Sequence, residues 1–145
     1  MEEFLSKFIS EYGAAGLFVW SFLSATVLPL ASEGAVYIAV KYGISTTDTV
    51  IWASAGNCLA CVLNYYLGVF FEKKMHGKLA ASRFGRKALD WMHKHGLWSL
   101  LLSWTPFLGD PLTVVAGIAR VNFFWFIVIV FSLRILRYII VAGIV

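Results

Sequence analysis

Apolar residues in this chain recur in long runs broken by short polar stretches, and the lengths of the runs set its architecture. Residues 1–12 place Phe4, Leu5, Phe8, Ile9 and Tyr12 on one helical face, with Glu3, Lys7 and Glu11 opposite. That is the pattern of an amphipathic helix lying at a membrane interface. Gly13 to Leu28 is apolar, Pro29 to Glu33 interrupts, and Gly34 to Tyr42 resumes for too few residues to cross a bilayer. A crossing needs about 20 residues, so the pattern predicts a re-entrant helical hairpin over 13–44. Ser45, Thr46, Thr47 and Asp48 supply N-cap chemistry, and the unbroken apolar run behind them predicts a transmembrane helix over 47–71.

The same order then returns. Residues 72–96 form a polar connector in which Phe84, Ala88, Trp91 and His95 recur at helical spacing, predicting an amphipathic helix on the membrane surface. Leu97 to Thr105 is apolar but short, Pro106 to Asp110 interrupts, and Pro111 to Ala119 resumes, predicting a second re-entrant hairpin over 97–120. A second transmembrane helix is expected over 122–145. The fold class expected is therefore all-α integral membrane, one domain over 1–145, built from two inverted repeats. Each repeat is a re-entrant hairpin followed by a full transmembrane helix. Broken helices in inverted repeats converge near the bilayer midplane, where such folds build their sites.

Composition agrees with a membrane setting. Of the 145 residues 60% are hydrophobic and 14% charged, far from the roughly 45–50% apolar and 25% charged of a soluble globule. The net charge of +4 is concentrated in the connector, where Lys73, Lys74, Lys78, Arg83, Arg86, Lys87 and Lys94 face only Glu72 and Asp90. A basic connector of this kind belongs on the cytoplasmic side of a membrane rather than on nucleic acid. The first hairpin then opens outward and the second inward. The chain begins Met-Glu-Glu, without the basic start of a secretory signal, so its first segment is expected to be retained.

Against this apolar background a few polar residues stand out. Pro29 and Pro106, with Pro111, are the expected helix breaks, and the first two each precede a carboxylate by four residues, Glu33 and Asp110. Arg134 and Arg137 lie three apart on the last span, hence on one face. Arg134 comes about 18 Å along that helix and Asn57 about 14 Å along the first, both near the centre of a core about 30 Å thick. Left apart, Glu33, Asp110, Arg134 and Arg137 would cost on the order of 10 kcal/mol on insertion scales, which favours their meeting. Asn57, Asn64 and Ser103 are supporting polar candidates. The two asparagines can equally be interhelical glue, with Gly56 and Gly68 permitting close approach. Asp110 before Pro111 also reads as an N-cap followed by a first-turn proline, and Ser32 with Glu33 would start the other half-helix equally well. Half-helix N-termini beside arginines suit a phosphate.

Other chemistry has little footing. Cys58 and Cys61 form a C-x-x-C inside an apolar span and read as small packing residues. His76, His93 and His95 sit in the connector without carboxylates at metal-ligand spacing, so no metal and no cofactor is expected. No hydrolase, NTPase or zinc-protease motif is present, and the chain is not read as an enzyme.

Taken together, Pro29 to Glu33, Gly56-Asn57, Gly68, Leu102-Ser103-Trp104-Thr105-Pro106, Gly109-Asp110, Ala116-Gly117, Arg137-Tyr138 and Trp91 to Gly96 resemble the DedA superfamily of SNARE-associated or VTT-domain proteins, in particular its short YqaA branch. The resemblance implies two opposed re-entrant hairpins and lipid movement across membranes, of undecaprenyl phosphate or phospholipids, in several members coupled to protons. Glu33 matches the family's acid in the first hairpin, and Asn57 stands where many members carry an aspartate. Larger members carry two arginines around the second-hairpin proline, where this chain has Ser103 and Gly109, so Arg134 and Arg137 would supply that charge. The function expected is translocation or scrambling of an anionic lipid, with Arg134 and Arg137 receiving the phosphate and Glu33 or Asp110 carrying a proton. A small-solute or ion/H⁺ exchanger, or a non-transporting membrane scaffold, are the alternatives. The partners expected are membrane lipid and protons, with no nucleic acid. Two full spans shield such a site poorly, so a homo-oligomer is expected, a dimer first.

Overall fold

A computed structural model describes residues 2–26, 32–105 and 108–144. Every element among them is helical: α1 (Glu2–Thr26), α2 (Ser32–Lys41), α3 (Thr46–Phe70), α4 (Glu72–Ala81), α5 (Arg83–His95), a 3₁₀ helix (Gly96–Trp104), α6 (Gly109–Ile118) and α7 (Phe123–Ile144). The expected breaks at Pro29 and Pro106 lie outside the described residues. Two helices, Thr46–Phe70 and Phe123–Gly143, are long and apolar enough to cross a membrane. Their outward faces stay apolar, with Ile51, Leu59 and Leu63 exposed on α3 and Ile135, Ile139 and Ile140 on α7.

The contacts divide the chain into two compact units, Met1–Ala60 with Arg134–Val145, and Cys61–Leu133. Each therefore holds part of α3 and part of α7. In the first unit α1 is two helical arms joined at Gly13, whose φ of 56° and ψ of −134° suit a residue without a Cβ. The N-terminal arm does more than coat a surface: Leu5 and Ile9 are buried in a core with Leu17, Val36 and Tyr138, while Phe4 and Tyr12 remain exposed. Gly56 lets α3 close on α1, since a Cβ there would collide with the carbonyl oxygen of Phe18.

In the second unit Tyr65, Leu89, Met92, Leu100, Val115 and Phe126 form the core. The connector is two helices, because Ser82 is extended and accepts from the Gly85 amide as the N-cap of α5. The buried face of α5 is Gly85, Ala88, Leu89 and Met92. Phe84 and Trp91, read from the sequence as part of the apolar face, stand at its exposed edge at 50% and 44%. Leu89 and Met92 win the core because they continue the stripe of Ala88 and Gly85 at three- and four-residue spacing. The nine residues after His95 are wound as 3₁₀ rather than α, which at 2.0 Å per residue extends the short arm to about 18 Å against about 13.5 Å for an α-helix.

The two units repeat locally at a spacing of 77 residues. The helices α2 and α6 begin at Ser32 and Gly109 and end at Lys41 and Ile118. Their C-terminal turns carry the same three backbone bonds: Tyr42 to Ile38, Gly43 to Val40 and Ile44 to Ala39 in one, Ala119 to Val115, Arg120 to Gly117 and Val121 to Ala116 in the other. This Schellman-type closure needs a left-handed residue, supplied by Gly43 (φ 87°) and by Arg120 (φ 50°). The next helix then opens on a side-chain cap, Ser45 Oγ accepting from the Asp48 amide at 3.1 Å and Asn122 Oδ1 from the Phe124 amide at 3.1 Å. At the same spacing Glu33 corresponds to Asp110 and Asn57 to Arg134.

Candidate functional site

The polar interior of the first unit is organised by α7. Arg134 and Arg137 are both buried, at 1% and 6% exposure, and Tyr138 beside them is fully buried. A helix brings residues three and four apart onto one face, so these three side chains point into the same interior. The Tyr138 hydroxyl donates to Ser32 Oγ at 2.8 Å, tying α7 to the first residue of α2. The next residue on α2 is Glu33, and its Oε1 lies 3.5 Å from Arg137 Nη1.

That distance matters. Charge-assisted N–H···O bonds run about 2.7–2.9 Å, so Glu33 and Arg137 form an ion pair without a short hydrogen bond. Arg137 Nε is buried and makes no hydrogen bond among the described residues, while the guanidinium rests 5.4 Å from the centroid of the Tyr138 ring. A guanidinium presents five donors in a fixed fork that matches carboxylate or phosphate oxygens in pairs. The unit also buries Ser21, Ser24, Thr49, Ser54 and Asn57, and the hydroxyls of Ser21, Thr49 and Ser54 make no hydrogen bond among the described residues. Glu33 is the one acid of the described side chains in this unit that is not exposed. Two guanidiniums are thus buried in this unit, with the Glu33 carboxylate beside that of Arg137.

The second unit holds Asp110, Pro111, Asn64 and Ser103. Asp110 is the second residue of α6, in its acidic first turn, and is partly exposed. The cap position falls to Leu108, without a side-chain cap bond. Asp110 therefore stands at the second helical position rather than at the N-cap position, because α6 starts at Gly109. Pro111 does not break a helix either: it is the third residue of α6, in the first turn, where an N–H would lack an intrahelical acceptor. Thr113 Oγ1 donates to the Asp110 carbonyl at 2.6 Å. Asn64 is buried at 5%, and Ser103 is fully buried with its hydroxyl making no hydrogen bond among the described residues.

The structure thus brings Glu33 to Arg137 and buries Arg134 and Asn57 in the same unit. Sequence pattern did not single out Tyr138 as a fastening residue, nor Ser21, Thr49 and Ser54 as buried hydroxyls. A signal was present: Ser21 with Ser24, and Ser54 with Asn57, are small polar residues three apart in apolar helices, and Tyr138 is four beyond Arg134. Cys58 is buried in the first unit and Cys61 in the core of the second.

Residues 12–145 match the VTT domain. The chain belongs to the VTT-domain family, which is the DedA family. It is 39% identical over 146 residues to the inner membrane protein YqaA of Escherichia coli, covering 99% of this chain and 93% of that one. An uncharacterized protein of Haemophilus influenzae is 30% identical over 85% of this chain and 81% of its own. The undecaprenyl phosphate transporter A of Staphylococcus aureus is 28% identical over 89% of this chain and 70% of its own. No solved structure matches the chain significantly. VTT-domain membership, an inner membrane relative and two apolar helices of spanning length together make this an integral membrane protein.

Proposed function

We propose that this VTT-domain protein translocates or scrambles an anionic lipid of the undecaprenyl phosphate or phospholipid class across a bacterial cytoplasmic membrane. The observation that carries this reading is the buried pair of guanidiniums on a spanning helix, with one carboxylate 3.5 Å from Arg137. Burying an ion costs several kcal/mol unless it is compensated, so two guanidiniums in one interior mark a place built for anionic groups. A phosphate entering the interior would take bidentate bonds from Arg134 and Arg137. Glu33, released from Arg137 by the arriving phosphate, would take up a proton and return it when the lipid leaves. The transporter name of the Staphylococcus aureus relative supports the substrate class.

The 77-residue recurrence of the α2 and α6 boundaries, of their closing turns and of the following caps supports two re-entrant hairpins of one design. In this reading they are inverted, the connector 72–96 is cytoplasmic, and Asp110 contributes the second hairpin's acid. Asn57, Asn64 and Ser103 line the path, and a homodimer shields it. No covalent step is needed.

The reading is tested by purified protein in liposomes offered labelled undecaprenyl phosphate, labelled phospholipids and a pH gradient. Movement of a phosphate-bearing lipid supports it. If the pH gradient collapses while every lipid stays in place, the protein is an ion or solute exchanger; if nothing moves, it is a scaffold.

A further inference from the structure

The second unit contains a crevice of about 360 Å³ between α5 and the 3₁₀ helix with α6, within the size range of ligand pockets. From α5 it is lined by Phe84, Lys87, Ala88 and Trp91, spaced by three, four and seven residues and hence in one stripe. Leu102, Leu108 and Leu112 close the other side. Ser99 also lines it, but its hydroxyl already donates to the Trp91 carbonyl at 2.8 Å, pinning the wall. Among the described lining residues, the ammonium of Lys87 is then the one uncommitted polar group at an apolar cavity. Its side chain is exposed, and it makes no ion pair among the described residues.

The surroundings select the occupant. Arg83 stands four residues before Lys87 and Lys94 seven after it, with Asp90 the single acid of α5. A second copy of the chain would set one basic connector against another. A neutral lipid would fill the cavity and leave the ammonium unanswered. Half-exposed Trp91 is of the type that sits at lipid headgroup level, and half-exposed Phe84 adds apolar surface at the same edge. We propose that this crevice holds one acyl chain of an anionic phospholipid, with its phosphate on Lys87. The lipid is a resident one that fastens the connector to the membrane surface. The inference rests on the membrane placement of the connector and not on lipid translocation.

The experiment uses the full chain reconstituted in phosphatidylcholine vesicles that carry acyl-brominated phosphatidylglycerol or acyl-brominated phosphatidylcholine. Bromine quenches nearby tryptophan, and the Trp91 share is the difference between wild type and Trp91→Phe. Brominated phosphatidylglycerol should quench that share at about fivefold lower concentration, the equivalent of the roughly 1 kcal/mol available from one basic residue at an anionic surface. Lys87→Gln should bring the two lipids to parity, and Lys87→Arg should keep the preference. Should Trp91→Phe fail to fold, native mass spectrometry of wild type and Lys87→Gln from mixed-lipid micelles reads the retained phosphatidylglycerol adduct instead. Parity in the wild type, a preference that survives Lys87→Gln, or no quenching at Trp91 because a second copy covers the crevice, would each overturn the proposal. Lipid movement measured in the same vesicles separates the two readings: its loss with the Trp91 preference intact fails the translocase and leaves the crevice standing.

Discussion

Replacing Gly117 by alanine should destabilise the second unit by about 1–3 kcal/mol, because the new methyl has only backbone to push against. A Cβ at Gly117 collides with the Tyr65 carbonyl oxygen and comes to 2.9 Å from the Tyr65 carbonyl carbon and 3.1 Å from Gly68 Cα. From the other helix, a Cβ at Gly68 collides with the Val114 carbonyl oxygen and meets Ile118 N at 2.9 Å and Gly117 Cα at 3.0 Å. Ordinary carbon contacts lie at about 3.5–4.0 Å, so α3 and α6 must part by something near 1 Å. A gap of that size forfeits a quarter to a half of the dispersion well for every facing atom pair. Gly68→Ala should cost as much, and the double variant clearly less than the sum, since one separation accommodates both methyls. Gly77 on α4 has nothing within 4 Å of its Cβ position, and Gly77→Ala should be neutral or stabilise by up to about 1 kcal/mol. Denaturant titration in detergent micelles, followed by circular dichroism, measures all four variants against wild type. A Gly117→Ala variant within about 0.3 kcal/mol of wild type, or strict additivity with Gly68→Ala, would refute the close contact.

Tyr138→Phe removes the hydroxyl bonded to Ser32 and should lose about 0.5–1.5 kcal/mol by the same titration; a Ser32→Ala/Tyr138→Phe cycle without coupling would show that the bond does not fasten α2. Glu72→Gln breaks the 2.7 Å pair with Arg120, yet both partners are substantially exposed, at 36% and 67%, so stability should fall by less than about 1 kcal/mol and the loss should shrink in high salt. Single cysteines at Tyr42 and His76 should label from opposite sides of sealed vesicles; labelling from one side contradicts inverted hairpins.

The helical class was legible because apolar runs of spanning length leave few alternatives, and Ser45 capped α3 from its position in sequence alone. The close approach at Gly56 and Gly68 was also legible, since small residues in apolar helices mark contact faces. Spacing alone does not reveal the partner glycine at 117, because its contact pairs residues nearly fifty apart. Nor does it reveal the face of α5. Phe84 and Trp91 outrank Leu89 and Met92 in bulk, and only the neighbouring helices decide which edge is buried. The 3₁₀ winding of 96–104 has no sequence signal that we can identify. At the candidate site the arginines announced themselves by the cost of charge in apolar sequence, and Glu33 by its place four residues after a proline. Tyr138 and the serines did not, because a hydroxyl in a helix is inexpensive until the partner helix is known.

The central claim is that the buried guanidiniums receive a lipid phosphate and that Glu33 governs its release. The most direct test compares initial rates of labelled undecaprenyl phosphate movement in liposomes for wild type, Arg134→Ala, Arg137→Gln and Glu33→Gln, each confirmed folded by circular dichroism. Tenfold or greater losses in both arginine variants, with Glu33→Gln losing its response to a pH gradient, are the predicted result. Wild-type rates and an unchanged gradient response in all three would contradict the account.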